Sequence, residues 1–189
     1  GPGRALQAAL GDDATIVSTI VGGDNYLTEE MESAISAASA YLDQVKPDVV
    51  IAGPAFDAGR YGLACAEICR LAAQKGIVAV TGMHPENAGV LTYRKDILAV
   101  STGTDATEMA QIMGSMSRLA LKSLRGEELG PASVEGYIPH AIRRQVMHEK
   151  FGYERAVDML LARLAGTPHQ SEMLITGYDD ITPASPLES

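Results

Sequence analysis

Short apolar runs alternate with amphipathic stretches along most of this chain. Four runs rich in β-branched residues are predicted as strands, at residues 14–22, 48–53, 77–82 and 97–102. Their nearly continuous apolar character is typical of strands that are buried on both faces, as in a parallel sheet. Right-handed crossovers between such strands would place helices on both sides of the sheet.

Four helices are predicted between and after these strands. Thr28 is expected to cap the first, over residues 28–45, and Gly76 to end the second, over residues 59–75. The third starts near residue 104 with a pair like a capping box, Asp105 and Glu108, and closes at Gly126. The fourth covers residues 153–165, and its buried side would carry four residues: Val157, Leu160, Leu161 and Leu164.

Strands that alternate with helices of this length predict βαβ units. The expected fold is a three-layer α/β sandwich with a mainly parallel sheet, Rossmann-like or flavodoxin-like. Residues 1–168 would form this domain, and residues 169–189 an extended linker towards a missing C-terminal half. The turn-rich segment 126–150 is interpreted as a connection that packs across a sheet edge. The alternative to a fragment is a complete domain that has been processed or tagged.

Charge and composition narrow the function classes. The 189 residues carry a net charge of −9, which argues against nucleic acid and anionic membranes as partners. Without a signal sequence or an apolar run of membrane-spanning length, a cytoplasmic enzyme is expected. Cys65 and Cys69 are one helical turn apart, and buried packing is favoured over redox chemistry.

Candidate chemistry lies in the loops that follow the predicted strands, because open parallel sheets bind ligands beyond the carboxyl ends of their strands. Gly59, Arg60 and Tyr61 follow the second strand where a helix should begin. Backbone N–H groups at a helix start favour an anion, and a guanidinium beside them could grip a carboxylate. The alternative is that Arg60 makes an internal salt bridge or faces a partner domain.

The loop after the third strand contains His84, Glu86 and Asn87. A histidine near a carboxylate can do acid–base work, although polar side chains in such a turn often just satisfy the loop backbone. A metal is not expected, because no second His or Cys lies at ligand spacing. The loop at residues 23–26 follows the first strand, where turn formation is the favoured interpretation. Phosphate-loop, dinucleotide-binding and nucleophile-elbow motifs are absent, and no residue is a convincing nucleophile.

Five stretches resemble one family in the order of the chain. They are residues 23–26 (GDNY), 50–62 (VIAGPAFDAGRYG), 79–87 (AVTGMHPEN), 135–139 (EGYIP) and 156–161 (AVDMLL). Together they are similar to the selenoprotein B subunit (component B) of glycine, sarcosine and betaine reductases. Two positions depart from the expected pattern: Asp57 stands in place of Asn, and His84 in place of an aromatic residue.

The resemblance implies that the chain is the N-terminal half of a longer subunit that cleaves a C–N bond reductively, with a dithiol as electron donor. The nucleophile, a selenocysteine or cysteine, would lie in the missing half. Implied partners are a subunit with a pyruvoyl group, a selenoprotein A-like acceptor and a small-molecule amine substrate. Arg60 and the Gly59 amide would bind the substrate anion, with Tyr61, His84, Glu86 and Asn87 as further cleft residues. The fragment alone would be inactive.

Two other function classes stay open at this point. A small-molecule binding module would need a ligand cleft within this chain alone. An assembly domain would hold the pyruvoyl subunit without chemistry of its own, and Arg60→Ala would then weaken the complex rather than substrate binding.

Overall fold

The computed structural model of the protein describes residues 2–140 and 148–168. The chain divides into a first unit, residues 1–143, and a second unit, residues 144–189. The predicted linker at residues 169–189 lies outside the described residues, so the predicted domain boundary stays a prediction.

The first unit contains three strands and seven helices in its described part. In chain order the elements are α1 (Pro2–Leu10), α2 (Asp24–Glu29), α3 (Met31–Val45), β1 (Val49–Phe56), α4 (Gly59–Gln74), β2 (Val78–Met83), α5 (Ala88–Tyr93), β3 (Leu98–Ser101), a 3₁₀ turn (Ala106–Glu108), α6 (Met109–Leu124) and α7 (Ala132–Glu135). The second unit contributes α8 (Gly152–Leu164).

The sheet has the order β1-β2-β3, and both neighbouring pairs are parallel. Val50 lies opposite Ala79, and Val80 lies opposite Leu98. The connections run through α4 and α5, so each strand is followed by a helix, as the sequence pattern predicts.

Hydrophobic residues from both faces of the sheet form the core. Ala99 packs with Cys65 and Cys69 of α4, whereas its neighbour Val100 packs with Met113 and other residues of α6 on the opposite side. This alternation follows from the two-residue period of a strand. Helix α1 contacts α6 on the second side. The three-layer α/β fold with a parallel sheet is therefore confirmed.

The buried carboxylate of Glu67, on α4, links this helix to Tyr93 of α5. Glu67 accepts two hydrogen bonds from Arg70, at 3.0 and 2.8 Å, and a third from the hydroxyl of Tyr93. The bond to Glu67 is the main reason that the pKa of Tyr93 is raised. This cluster fixes α5 on α4 and so helps to place the loop before α5.

The segment after α6 covers the outer edge of β3. The amide of Ser101 donates a hydrogen bond to the carbonyl of Gly136 at 3.1 Å. The amide of Ile138 donates a hydrogen bond to the carbonyl of Ala99 at 2.7 Å. Tyr137 forms an antiparallel bridge with Val100. The interpretation of residues 126–150 as a connection across a sheet edge holds for this part; residues 141–147 lie outside the described residues.

The predicted strand at residues 14–22 is wrong. These residues are outside the sheet, and Val17, Ile20 and Val21 are exposed. Polar contacts hold the segment instead. The side-chain oxygen of Gln7 accepts a hydrogen bond from the amide of Ile16 at 3.0 Å. The hydroxyls of Ser18 and Tyr41 form a hydrogen bond at 2.5 Å. The β-branched pattern gives strand propensity, but a strand also needs a neighbouring strand.

Helix boundaries differ from the pattern in three places. The helix predicted at residues 28–45 is two helices, and Glu30, rather than Thr28, is the N-cap of α3. Asp105 does cap, through the amide of Thr107 at 2.8 Å, but the helix opens as a 3₁₀ turn. Helices α1, α5 and α7 were not predicted from the pattern, because all three are shorter than ten residues.

The predicted burial in α8 is also wrong. The helix forms where the pattern predicts it, but Val157, Leu160, Leu161 and Leu164 are exposed. Within residues 148–168 the structure describes no second helix or strand against which this face could pack.

Candidate functional site

The loops after the three strands meet at the carboxyl edge of the sheet. The amide of His84, just after β2, donates to the carbonyl of Phe56, the last residue of β1, at 2.8 Å. The amide of Thr102, just after β3, donates to the carbonyl of Met83 at 3.2 Å. Backbone hydrogen bonds therefore fix the three loops to one another, and this edge is the candidate functional site.

Asn87 is the central side chain of this edge and is only 1% exposed. Its Nδ2 donates to the carbonyls of Phe56 at 3.0 Å and Ala58 at 3.2 Å. Its Oδ1 accepts from the amide of Gly89 at 2.9 Å and so caps α5. The structure thus gives Asn87 a structural role, and a direct role in substrate binding stays a prediction.

Phe56 ends β1 in a left-handed conformation, with φ of 49°. Such a conformation costs a residue other than glycine on the order of 1–3 kcal/mol, and it persists where surrounding contacts impose it. Here its carbonyl accepts hydrogen bonds from both His84 and Asn87. The sequence gives no signal for this conformation, because bulky residues rarely adopt it.

Gly59, Arg60 and Tyr61 are the first three residues of α4, at the same edge. The residue before them, Ala58, is the N-cap, and its methyl group cannot accept a hydrogen bond from the helix start. Arg60 is exposed. Arg60 therefore belongs to the first turn of α4, and its predicted role in binding an anion stays a prediction.

Tyr61 lies one helical turn before Cys65 on α4. Burial of the phenol, with the nearby thiol as a second cause, raises the pKa of Tyr61 to about 12. Burial also raises the pKa of Cys65 to about 12, and it raises that of Cys69. The packing role predicted for the two cysteines is confirmed by their burial in the core between α4 and the sheet.

His84 is half-buried, and its Nδ1 accepts a hydrogen bond from the amide of Glu86 at 3.3 Å. In the neutral imidazole this arrangement assigns the proton to Nε2, which becomes a donor. The Glu86 side chain is exposed. The structure therefore brings five predicted residues to one edge: Gly59, Arg60, Tyr61, His84 and Asn87. Glu86 belongs to the same turn.

The predicted loop at residues 23–26 does not follow a strand. Asn25 and Tyr26 belong to the first turn of α2, which contacts α4. The predicted position of this loop at a strand end is therefore wrong, because it depended on the strand predicted at residues 14–22.

A depression also lies elsewhere, on α6. It has a volume of about 530 Å³, and its lining includes Arg118, Lys122 and Glu135 but none of the predicted site residues. Glu135 is buried and accepts hydrogen bonds from Arg118 and Lys122. These bonds, that from Lys122 first, lower the pKa of Glu135 to about 2. We interpret the cluster as a structural ion pair that anchors α7 to α6.

Within residues 2–140 and 148–168, no group of three His, Cys, Asp or Glu side chains is placed to hold a metal ion. No helix in the described part of the chain combines the length and the apolar character needed to cross a membrane.

Comparison with known proteins gives a consistent result. The family model described as glycine/sarcosine/betaine reductase selenoprotein B matches residues 1–189. The sarcosine reductase complex component B subunit beta of Peptoclostridium acidaminophilum is 44% identical, over 97% of this chain and 42% of its own length. The glycine reductase complex component B subunit gamma of Carboxydothermus hydrogenoformans is 41% identical, over 97% of this chain and 42% of its own length.

The betaine reductase complex component B subunit beta of P. acidaminophilum is 39% identical, over 100% of this chain and 44% of its own length. The chain thus spans about two fifths of the length of the curated relatives it matches. No solved structure matches it significantly.

Proposed function

We propose, from the premise that this chain belongs to the glycine/sarcosine/betaine reductase selenoprotein B family, that it is part of a subunit which binds an amino acid or a related amine for reductive C–N cleavage. The match over the whole chain carries this proposal. The three relatives named for sarcosine, glycine and betaine reductases differ little in identity, at 44, 41 and 39%, so identity does not select a substrate.

The contribution of this chain would be one wall of the substrate cleft, at the carboxyl edge of the sheet. Arg60 and the amides at the start of α4 would bind the substrate carboxylate, a group that glycine, sarcosine and betaine share. His84 would donate a hydrogen bond from Nε2, because its Nδ1 is occupied by the amide of Glu86. Asn87 would position both loops through its bonds to Phe56 and Ala58.

The nucleophile would come from outside this chain. Cys65 and Cys69 are buried with raised pKa values, which supports a nucleophilic selenocysteine or cysteine in another part of the subunit. A pyruvoyl group on a partner subunit would capture the amine and supply the electrophilic chemistry. A selenoprotein A-like partner would accept the product group, and a dithiol would provide the electrons.

The test uses the complete component B subunit that carries this chain, assembled with its partners. Dithiol-dependent release of amine is measured with glycine, sarcosine and betaine for the unchanged subunit, Arg60→Ala and Arg4→Ala. Arg4 is the matched control, since it is an exposed arginine on α1. We expect Arg60→Ala to raise KM at least about tenfold with kcat less affected, and Arg4→Ala to change neither.

Other outcomes would lead to different functions. If no amine is released from any substrate, the reaction of the family does not carry over to this protein. If Arg60→Ala leaves KM unchanged but the subunits separate in gel filtration, the surface around Arg60 holds a partner, and the chain acts as an assembly domain.

A further inference from the structure

Helix α8 presents an apolar stripe to solvent. Val157, Leu160, Leu161 and Leu164 recur at the spacing i, i+3, i+4 and i+7, which places them on one helix face. Each side chain is more than half exposed, from 52% at Val157 to 77% at Leu164. Large apolar residues at this spacing are typical of a helix face that is buried against another element, and residues 148–168 contain no second helix or strand that could be this element.

The exposure is not caused by a frayed helix. Glu154 accepts a hydrogen bond from the amide of Phe151 at 2.7 Å, which closes the N-terminal turn. Lys150 forms an ion pair with Asp158 at 2.6 Å, away from the stripe. Phe151 and Tyr153 stack with their ring centroids 5.7 Å apart. The helix is therefore formed and capped by contacts that leave the apolar face available.

The lengths of the relatives indicate what covers this face. The matched regions occupy 42–44% of those subunits, so more than half of each relative lies outside the part that corresponds to this chain. A second copy of this chain is a weaker candidate, because each copy would bring a net charge of −9.

We propose that the stripe of α8 is an internal interface, which docks into an apolar groove on the remaining part of the component B subunit. This mode of recognition uses anchors at i, i+3, i+4 and i+7 of one amphipathic helix. The proposal rests on family membership and on the greater length of the relatives. It is independent of the proposed reductase activity. The helix would join the two parts of the subunit.

The test measures the reactivity of one cysteine at a time, introduced into α8 of a full-length chimera that keeps Cys65 and Cys69. This chain replaces the matched region of the sarcosine reductase complex component B subunit beta of P. acidaminophilum. Leu160→Cys probes the stripe, and Arg163→Cys is the matched control, because it is exposed on the same helix but off the stripe. Alkylation is followed by mass spectrometry of the α8 peptide, in the chimera and in the 189-residue chain.

We expect both cysteines to react at similar rates in the 189-residue chain. In the chimera, Leu160→Cys should react at least about tenfold more slowly, while Arg163→Cys stays within about twofold. Equal rates in the chimera would overturn the proposal. Protection of Leu160→Cys in the 189-residue chain would also overturn the proposal. Protection that increases with protein concentration would indicate that a second copy covers the stripe. Protection that does not change with protein concentration would indicate that the chain itself covers it.

A second measurement keeps the test decisive if the chimera misfolds. Cys65 and Cys69 are buried, so their alkylation in the chimera would reveal misfolding. The 189-residue chain is then mixed with the remaining part of the relative, produced as a separate polypeptide. Binding with selective protection of Leu160→Cys supports the proposal, and absence of binding or of protection overturns it.

Discussion

The Oδ1 atom of Asn87 occupies the space into which a side chain on Gly62 would extend. A Cβ atom built on Gly62 would lie 1.9 Å from this oxygen, far inside the contact distance. In the same crossing, a Cβ atom on Gly89 would lie 2.4 Å from the carbonyl oxygen of Gly62. Helices α4 and α5 can approach this closely because glycine stands at both positions, and the approach brings Asn87 under the loop after β1.

Replacing Gly62 by alanine should therefore destabilise the fold. We expect a loss of about 2–4 kcal/mol in the free energy of unfolding, because the new methyl group displaces a buried side chain that makes three hydrogen bonds. Gly114→Ala is the matched control: it is also within a helix, but nothing lies within 4 Å of the added Cβ. Denaturant unfolding measures both, and equal stabilities would contradict the close crossing.

The change Asn87→Asp should separate the two functions of this side chain. The new carboxylate can still accept from Gly89, but it faces the carbonyls of Phe56 and Ala58 without a donor. We expect a loss of about 2–4 kcal/mol at pH 7. The same chemical change at the exposed Gln111 should cost less than about 0.5 kcal/mol. Comparable losses for the two variants in urea unfolding would show that Asn87 is not buried as described.

Glu135 should make stability depend on acid pH. Hydrogen bonds from Lys122 and Arg118 lower its pKa from 4.5 to about 2. A depressed carboxyl pKa stabilises the folded state above pH 4.5, and this contribution is lost as the pH falls towards 2. Glu135→Gln should be less stable than the unchanged chain at pH 7, with the difference shrinking below pH 4.5. Thermal unfolding across this range tests it, and a difference that is constant with pH would be the contrary result.

The two thiols should be almost inert in the folded chain. Burial raises the pKa of Cys65 to about 12, so little thiolate exists at pH 8. We expect alkylation by iodoacetamide to be at least about a hundredfold slower than in denaturant, where both thiols are accessible and have the pKa of an unburied cysteine. Quenched-time mass spectrometry measures the two rates. Fast labelling of the folded chain would mean that α4 opens readily or that a thiol serves chemistry.

The parts of the fold that the sequence predicts well are those whose partners lie close along the chain. The runs at residues 48–53, 77–82 and 97–102 become β1, β2 and β3, because each finds a neighbouring strand after one helix. Cys65 and Cys69 are buried as expected. By contrast, residues 14–22 and the stripe of α8 have the pattern of buried elements, yet Val17, Ile20 and Val21 and the four stripe residues are exposed. An apolar pattern does not specify the surface that covers it.

The sequence predicts which edge of the sheet carries the candidate site, but it does not predict the local geometry of that site. The rule for parallel sheets located Arg60 and His84 at one edge, because the strand order follows the chain order. It did not reveal the left-handed Phe56 or the close approach of Gly62 and Gly89. These depend on distances between residues that are far apart in sequence, and side-chain type alone does not report them.

The exposed segment between α1 and α2 also has a consequence for the behaviour of the protein at high concentration. Residues 14–21 contain no charge, proline or glycine, and Val17 and Val21 are 72% and 90% exposed. Uncharged, β-branched segments of this kind are typical starting points for cross-β aggregation. Asp12 and Asp13, both exposed, flank the segment as gatekeepers. A lysine at position 17 should therefore slow fibril growth, measured by thioflavin fluorescence, without weakening the α/β core.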